Sequence, residues 1–485
     1  MNLTTLLQTI PYTLLQGETD REITGLCCSS KEAGPGSLFF CLSGARVDGH
    51  DFAPQAVEQG AAALVVEHPV EVPEGVTVIQ VEDGRLALAL VSAAFYGYPA
   101  RSLTTIGVTG TKGKTTVSGM IAQILEHAGH PTCLIGTVGI SFAGQFQPTD
   151  NTTPESHLIH RALRQAVDAG CTHLVMEVSS QATKLNRVAG MEFDYGVFTN
   201  LSPDHIGPAE HPDFDDYLHH KALLFRQCRV GIVNGEDEHA QAILEGNTCE
   251  EALFYGNVPG SGWTHAGAHI LRRGADLAVE YQLSGRRAAQ VLVNLPGDFS
   301  VMNSLAATAV CEHMGVAMED ILAALETLCI PGRLERVEVP GGASLFIDYA
   351  HNGFSLETLL STLRQYEPKR LFCVFGAGGN RDPNRRWEMG RAAGKWADYV
   401  VVTTDNPRYE DPKAIILDCL KGVLEVGATG VAIEDRAKAV RFCLDHAEPG
   451  DVIVMAGKGH ERYVEIQGKK YHFTERDAIQ KALEL

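Results

Sequence analysis

The segment Gly110-Thr111-Lys112-Gly113-Lys114-Thr115-Thr116 gathers the residue types that hold a polyphosphate. Residues 103–108 before it form a short, β-branched run. After it, Val117, Met120, Ile121, Ile124, Leu125 and Ala128 recur at helical spacing before Gly129. Strand, glycine turn and helix start together aim backbone N–H groups at one point, where the helix N-terminus stabilises negative charge. Lys114 then reaches the terminal phosphates, and the Thr115 hydroxyl is a ligand for Mg²⁺. The spacing departs from the strict G-x-x-x-x-G-K-[ST] pattern, because Val108 stands five before Gly113 and the glycine falls at 110. A glycine turn without a ligand is the alternative, and strand, helix, lysine and threonine weigh against it together. The segment predicts binding of ATP or GTP.

Other reactive residues follow apolar runs. Residues 173–178 read as a buried strand that ends with Glu177, followed by Ser179 and Ser180. Residues 195–199 read as another, leading to Asn200, Asp204 and His205. Ligands of open α/β sheets sit at the carboxyl ends of the strands, so Glu177 and His205 belong on the loop's edge as candidate Mg²⁺ ligands. Taken alone, Glu177 reads as a solvated carboxylate. The run Thr152-Thr153-Pro154-Glu155 is a loop entering a helix, with hydroxyls free for a ligand. Lys221 stands seven residues after Phe214, on the apolar stripe of a helix. Spacing alone favours a lysine whose stem covers the core edge while its ammonium stays in water. The alternative is a buried amine of lowered pKa, able to take up CO₂ as a carbamate, an oxygen ligand suited to Mg²⁺.

The elements that must carry these residues alternate as strand and helix. Residues 1 to about 100 predict a small α/β unit, with strands at 38–42 and 63–66 and a polar loop at 43–50. Residues 97–101 read as the linker into a nucleotide-binding domain. Ile330-Pro331-Gly332-Arg333 reads as a hinge, and the strand-rich stretch 245–298 carries no chemical signal. Beyond the hinge, apolar runs at 345–347, 371–375, 399–403, 430–433 and 452–456 alternate with helical patterns, and most end in polar clusters. That is a Rossmann-like array with its polar ends along one edge. No G-x-G-x-x-G accompanies the glycines at 376–379, which argues against a dinucleotide site.

At 485 residues the chain has room for about three domains. A net charge of −20 excludes a broad nucleic-acid surface and a polybasic membrane patch, so local lysines, arginines and N–H groups must hold any nucleotide. The twelve cysteines form no C-x-x-C pair, and they read as buried thiols of a reducing cytoplasm. No apolar run approaches the length of a membrane span. The expected compartment is the cytoplasm.

The order of motifs resembles the Mur ligases, which add amino acids to the peptide of the cell-wall precursor. The similar residues are 110–115, Asn151-Thr152-Thr153-Pro154, Met176-Glu177-Val178-Ser179-Ser180, Thr199-Asn200-Leu201 with Asp204-His205, Pro331-Gly332-Arg333, Asp348-Tyr349-Ala350-His351 and Gly457-Lys458-Gly459-His460-Glu461. The resemblance spans essentially the full length. It implies an α/β protein of three domains: an N-terminal UDP-binding domain (1–100), a central ATP-binding domain (101–333) and a C-terminal Rossmann-like domain for the amino acid (334–485).

The resemblance also assigns residues. Gly110, Thr111, Lys112, Gly113, Lys114, Thr115 and Thr116, with Asn303, Arg333 and Asp348, match nucleotide positions. It reverses the reading of Lys221, which matches a carbamylated lysine and, with Glu177 and His205, would hold a second Mg²⁺ besides the one that Thr115 ligates. Ser29, Thr152, Thr153, Ser179 and Arg187 match UDP-sugar-peptide positions. Arg381, Asp405, Asn406, Pro407, Arg408, Gly457 and Glu461 match the amino-acid site, and Asp405 to Arg408 resemble the signature of members that add meso-diaminopimelate. The implied reaction is ATP-dependent amide formation through an acyl phosphate, by a monomer acting on small molecules, without nucleic acid or membrane insertion. Departures from the family pattern are Cys28-Ser29-Ser30 in place of D-S-R, Gln181 for His, Ser300 for Asn, Asn352-Gly353 and Asn380. The same reaction with L-lysine and a folylpolyglutamate-type ligase are alternatives within the shared core. A non-catalytic phosphate-loop module is the alternative from another class.

Overall fold

The protein is described by a computed structural model that covers residues 1–44, 47–207 and 210–485. Of the polar loop 43–50, Ala45 and Arg46 lie outside the described residues. The chain packs as two compact units, Met1–Gly262 with Ala306–Val316, and Trp263–Leu305 with Ala317–Leu485. The fold is α/β with three domains, built around separate sheets.

In the first unit, the N-terminal sheet runs in the order Thr13–Gln16, Thr77–Gln80, Ala63–Val66, Ser37–Phe40, Gly25–Cys27. Its inner strands are apolar on both faces because both faces are covered. Leu38, Phe40, Val65 and Ile79 meet the helix Gly84–Phe95 side, while Phe39, Leu64 and Val66 pack with Ala53 and Ala56. The second sheet of this unit runs Glu251–Tyr255, Cys228–Asn234, Phe193–Phe198, Thr104–Thr109, His173–Glu177, Thr132–Gly136, and ends in two short antiparallel strands. The strands from Glu251–Tyr255 to Thr132–Gly136 are parallel, which places their carboxyl ends along one edge. Thr104–Thr109 lies at the centre, and later strands are laid down on both sides of it. The order therefore reverses where the phosphate loop begins, the point at which such sheets take ligands.

In the second unit, Trp263–Arg273, Asp276–Gly285 and Ala289–Val293 form an antiparallel meander. The larger sheet runs Glu335–Val337, Ser344–Asp348, Val452–Ala456, Leu371–Phe375, Tyr399–Val402, Gly430–Ala432, with only the first strand antiparallel. Arg272 Nη2 donates to the Gly450 carbonyl at 2.8 Å and Ser344 Oγ to the Ala275 carbonyl at 2.7 Å, so the meander is fastened to this sheet. Among the described residues no helix is long and apolar enough to cross a membrane.

One buried ion pair braces the carboxyl edge of that sheet. Arg436 Nε donates to Glu475 Oε2 at 2.7 Å, Arg436 Nη2 meets Glu475 Oε1, and the same guanidinium donates to the carbonyls of Thr404 (3.2 Å) and Ala456 (3.0 Å). Both side chains are buried. Glu475→Ala strands the guanidinium without its counter-charge, and the unfolding free energy falls by about 3–5 kcal/mol. Denaturant midpoints of the two proteins check this.

Candidate active site

Gly110 follows its strand with φ +145°, and a Cβ there would overlap the Thr199 hydroxyl, so only glycine turns the chain into the loop. Thr199 and Asn200, at the end of the neighbouring strand, clamp the loop's far side. Thr111 N–H donates to the Asn200 carbonyl (2.8 Å) and Lys112 N–H to Asn200 Oδ1 (2.9 Å). Asn200 Nδ2 and the Thr199 hydroxyl both donate to the Lys112 carbonyl, at 3.1 and 2.7 Å. Gly113 is the left-handed cap of helix Lys114–His127, whose first N–H groups have no acceptor within the helix. The loop is thereby fixed at a helix N-terminus, where the helix dipole stabilises negative charge.

Two lysines converge on one carbonyl of this loop. Lys114 Nζ donates to the carbonyls of Gly110 (2.9 Å) and Thr111 (3.2 Å), and Lys221 Nζ donates to Gly110 at 2.7 Å. Lys221 is only 2% exposed, with its amine 4.6 Å above the Tyr217 ring. Burial, and then the charge of Lys114, push its pKa well below the ordinary lysine value, against the pull of Asp204. A buried amine in this state has a free lone pair, the requirement for carbamate formation.

The Lys221 helix, Phe214–Ala222, is fixed by a polar relay. His211, fully buried, sits 2.9 Å from Ser180 Oγ and 2.7 Å from Asp216 Oδ2, which accepts from Lys184 Nζ at 2.9 Å. Tyr217 adds a contact of 3.1 Å between its hydroxyl and Thr111 Oγ1.

Glu177 ends its strand 1% exposed, and its charge is met by hydroxyl and backbone donors. Thr115 Oγ1 donates to Glu177 Oε2 at 3.1 Å, Thr137 Oγ1 to the same oxygen at 3.1 Å, and Thr137 N–H to Oε1 at 2.8 Å. A Cβ on Gly136 would overlap this carboxylate. A carboxylate and a threonine hydroxyl converging here are hard oxygen donors, so the set fits Mg²⁺. His205 is placed differently. It adopts φ +56°, stays half exposed, and bonds Glu210 Oε2 through Nδ1 at 2.9 Å. Its ring lies 6.1 Å from Tyr217, on whose face the Lys221 amine rests.

A second network adjoins Glu177. Thr153 Oγ1 donates to the Glu177 carbonyl at 2.8 Å and accepts from Ser179 N–H at 3.1 Å; Thr152 and Thr137 hydroxyls are 3.1 Å apart. Arg187 donates to the Thr153 carbonyl (3.0 Å) and to Glu155 Oε1 (3.0 and 2.7 Å), and Arg85 lies 3.5 Å from Glu155 on its other side. Ser29 follows Cys28, whose thiol is pushed up to about 12 by burial and by Glu155. These residues therefore share one neighbourhood, while Asn303, Arg333 and Asp348 fall in the other unit.

In the second unit, a cavity of about 120 Å³ is lined by Arg381, Asp405, Asn406, Arg408, Gly457 and Glu461, together with Tyr349, His351 and Arg385. Pro407 is the only residue of the expected set that does not line it. Lys458, 1% exposed, organises the floor: its Nζ donates to Asn406 Oδ1 (3.1 Å) and Glu461 Oε2 (3.0 Å), and Asn406 Nδ2 donates to the same Glu461 oxygen (2.9 Å). Arg408 stands at φ +52°, donating to Glu465 Oε2 (3.0 Å) and the Gly379 carbonyl (2.7 Å). His351 is held near 4 by burial and then by Arg385, so its ring is neutral at physiological pH. Asp348 accepts the N–H groups of Leu334 (2.9 Å) and Ala350 (2.8 Å); burial raises its pKa, and Arg333 opposes the rise.

The sequence reading passed over Thr137, Tyr217, His211, Arg385 and Glu465. Thr137 directly follows a strand of the parallel sheet, a position the sheet rule already marks. Arg385 and Glu465 act through contacts distant in sequence, of which spacing gives no sign, whereas Tyr217 stands four residues before Lys221 and His211 five before Asp216.

The buried amine makes a sign-specific prediction. Unfolding lets Lys221 recover its ordinary pKa near 10.5, so between the lowered value and 10.5 the unfolded chain binds more protons. Stability then rises with pH across that window. Lys221→Met removes the cost, so the variant is more stable at neutral pH, and its advantage shrinks as pH approaches 10.5. Urea midpoints at a series of pH values test the slope.

Comparison with known proteins agrees with this geometry over the whole chain. Residues 108–311 match the Mur ligase middle domain, 332–459 the glutamate ligase domain of Mur ligases, and 22–96 the Mur ligase family catalytic domain. The chain is 39% identical to the UDP-N-acetylmuramoyl-L-alanyl-D-glutamate--2,6-diaminopimelate ligase of Geobacillus kaustophilus, over 100% of this chain and 99% of that one. It is 36% identical to the protein of the same name from Caldanaerobacter subterraneus subsp. tengcongensis, over 100% and 99%. A solved structure bearing that name superposes with a TM-score of 0.69 at 27% identity, covering 100% of this chain and 99% of the other. The chain belongs to the Mur ligase family of ATP-dependent ligases.

Proposed function

We propose that this protein joins meso-diaminopimelate to UDP-N-acetylmuramoyl-L-alanyl-D-glutamate at the expense of ATP, a step of peptidoglycan precursor synthesis. The observation that carries the choice of amino acid is the charge pattern of the cavity in the second unit. Three guanidiniums, Arg381, Arg385 and Arg408, and two carboxylates, Asp405 and Glu461, face one small space. Diaminopimelate carries two carboxylates and two amines, and it complements both signs. Lysine lacks the second carboxylate and would set an ammonium against a guanidinium, which rejects it by repulsion as well as by lost bonding. Full-length similarity to proteins named for diaminopimelate supports the same choice.

In this reading the residues 1–100 serve the UDP group, 101–333 the ATP and 334–485 the amino acid. The loop of residues 110–116, at its helix N-terminus, and Lys114 cradle the triphosphate, which requires Lys114 to leave the loop carbonyls it now holds. Thr115, Glu177, His205 and a carbamylated Lys221 would hold Mg²⁺, which supplies charge neutralisation where carboxylate and phosphate must approach. Thr152, Thr153, Ser179, Arg187 and Ser29 orient the sugar-peptide so that its γ-carboxylate attacks the γ-phosphate and ADP leaves. An unprotonated amine of diaminopimelate then attacks the acyl phosphate carbon, and the tetrahedral adduct expels phosphate. The protein works as a monomer in the cytoplasm.

The test is phosphate release and UDP-tripeptide formation from ATP and the UDP-dipeptide with meso-diaminopimelate, with L-lysine, or with no amino acid. Product with diaminopimelate alone is expected. Turnover with lysine instead overturns the assignment of the cavity, and ATP binding without product under any condition favours the binding-module reading. Arg408→Ala should raise KM for diaminopimelate roughly 100-fold while KM for ATP changes little. An unchanged KM for diaminopimelate contradicts the role given to Arg408.

A further inference from the structure

Cys228 and Cys249 are 21 residues apart in sequence, yet their sulfurs lie 3.5 Å apart. The strand ladder explains the proximity. Val230 pairs with Glu251 across two parallel strands, and stepping back two residues on each sets Cys228 opposite Cys249. Glu250 N–H still donates to the Arg229 carbonyl at 2.8 Å, so the ladder extends to this point. Neighbouring strands run about 4.8 Å apart, within the Cα separation that a disulfide spans.

The two thiols are unequal. Cys228 is buried, whereas Cys249 is partly open to solvent. Their mutual hydrogen bond lowers the pKa of Cys249 and raises that of Cys228. Beside them opens a cleft of about 540 Å³, lined in part by Arg226, Cys228, Arg229, Thr248 and Glu250. This cleft is at the amino ends of the parallel strands, the edge opposite the phosphate loop. It opens onto Cys228, and with the partial exposure of Cys249 it gives small oxidants and reductants access to the pair.

We infer that Cys228 and Cys249 form a site of reversible two-electron oxidation, closed to a disulfide by a peroxide and reopened by a dithiol. The Cys249 thiolate attacks one peroxide oxygen; the O–O bond breaks, the sulfur becomes a sulfenic acid, and the departing hydroxide takes a proton to become water. The Cys228 sulfur then attacks the Cys249 sulfur; the S–S bond forms, the S–O bond breaks, and the second hydroxide leaves with the Cys228 proton as water. Two thiols and one hydrogen peroxide give one disulfide and two waters. A dithiol reverses the bond by exchange through a mixed disulfide.

The cross-link has a mechanical consequence. Thr248 N–H and Cys249 Sγ both donate to the Phe225 carbonyl, at 3.0 and 3.4 Å. Phe225 lies in the turn Leu223–Arg226, which directly continues the helix carrying Lys221. Oxidation therefore ties Cys228, two residues beyond that turn, covalently to the segment that enters the adjacent strand. Neither thiol lies in the sites described above, so the inference stands apart from the proposed reaction.

The whole chain is exposed to a small excess of hydrogen peroxide, alkylated under denaturing conditions, digested, and analysed by mass spectrometry without reductant. The expected result is a peptide pair joined through Cys228 and Cys249, lost on dithiothreitol treatment and absent from Cys249→Ser. The oxidised wild type should melt several degrees above its reduced form, since the closed loop restricts the unfolded chain, and Cys249→Ser should show no shift. Cys228→Ser should leave a lasting sulfenic acid at Cys249 that dimedone captures. The inference is overturned if the wild type carries oxidised Cys249 with no bridge. It is equally overturned if other cysteines cross-link first, or if both thiols survive a dose that oxidises the exposed Cys329.

Discussion

The Gly110 carbonyl, shared by the amines of Lys114 and Lys221, is the contact on which the first unit turns. Two groups that are ordinarily cations cannot both be charged there at low cost, and burial decides which gives way. Lys221 is enclosed by its helix and by Tyr217, so it is the one whose protonation is disfavoured. Lys114 is the amine that stands at the head of the loop, where a polyphosphate needs a cation. The relay of Ser180, His211, Asp216 and Lys184 holds the helix in the position that makes this possible.

Around that contact, the parallel sheet does the positioning. Strand ends deliver Gly110, Thr137, Glu177 and Thr199 to one edge from separate stretches of the chain. Glu177 is buried yet satisfied, because hydroxyls and one N–H meet its oxygens in place of water. Such donors are easily exchanged for a cation, whereas a lysine partner would compete with one. The second unit uses a different device. There Lys458 neutralises Glu461 and Asp405 from below, while guanidiniums approach from the sides, and the cavity offers both signs of charge to a zwitterion.

Much of this was legible in the sequence, for identifiable reasons. Parallel strands buried on both faces read as apolar runs, so 173–178, 371–375 and 452–456 were found nearly at their true bounds. The phosphate loop was legible because strand, glycine and helix are contiguous. Lys221 was not: spacing favoured a solvent-seeking ammonium, and only the enclosure by Tyr217 and the loop carbonyl shows the burial. The cysteines read as isolated buried thiols, but Cys329 is exposed and Cys228 lies against Cys249. A ladder register between distant strands is invisible to spacing. For the same reason the reading passed over Arg385 and Glu465, which reach their partners across the unit's tertiary packing.

The central claim is that the loop and its buried lysine serve the transfer of phosphate to a carboxylate. The most direct measurement uses UDP-N-acetylmuramoyl-L-alanyl-D-glutamate labelled with ¹⁸O in the D-glutamate γ-carboxylate, turned over with ATP and meso-diaminopimelate. Transfer through an acyl phosphate carries one labelled oxygen into the phosphate released, which mass spectrometry detects. Unlabelled phosphate accompanying amide product would contradict the account.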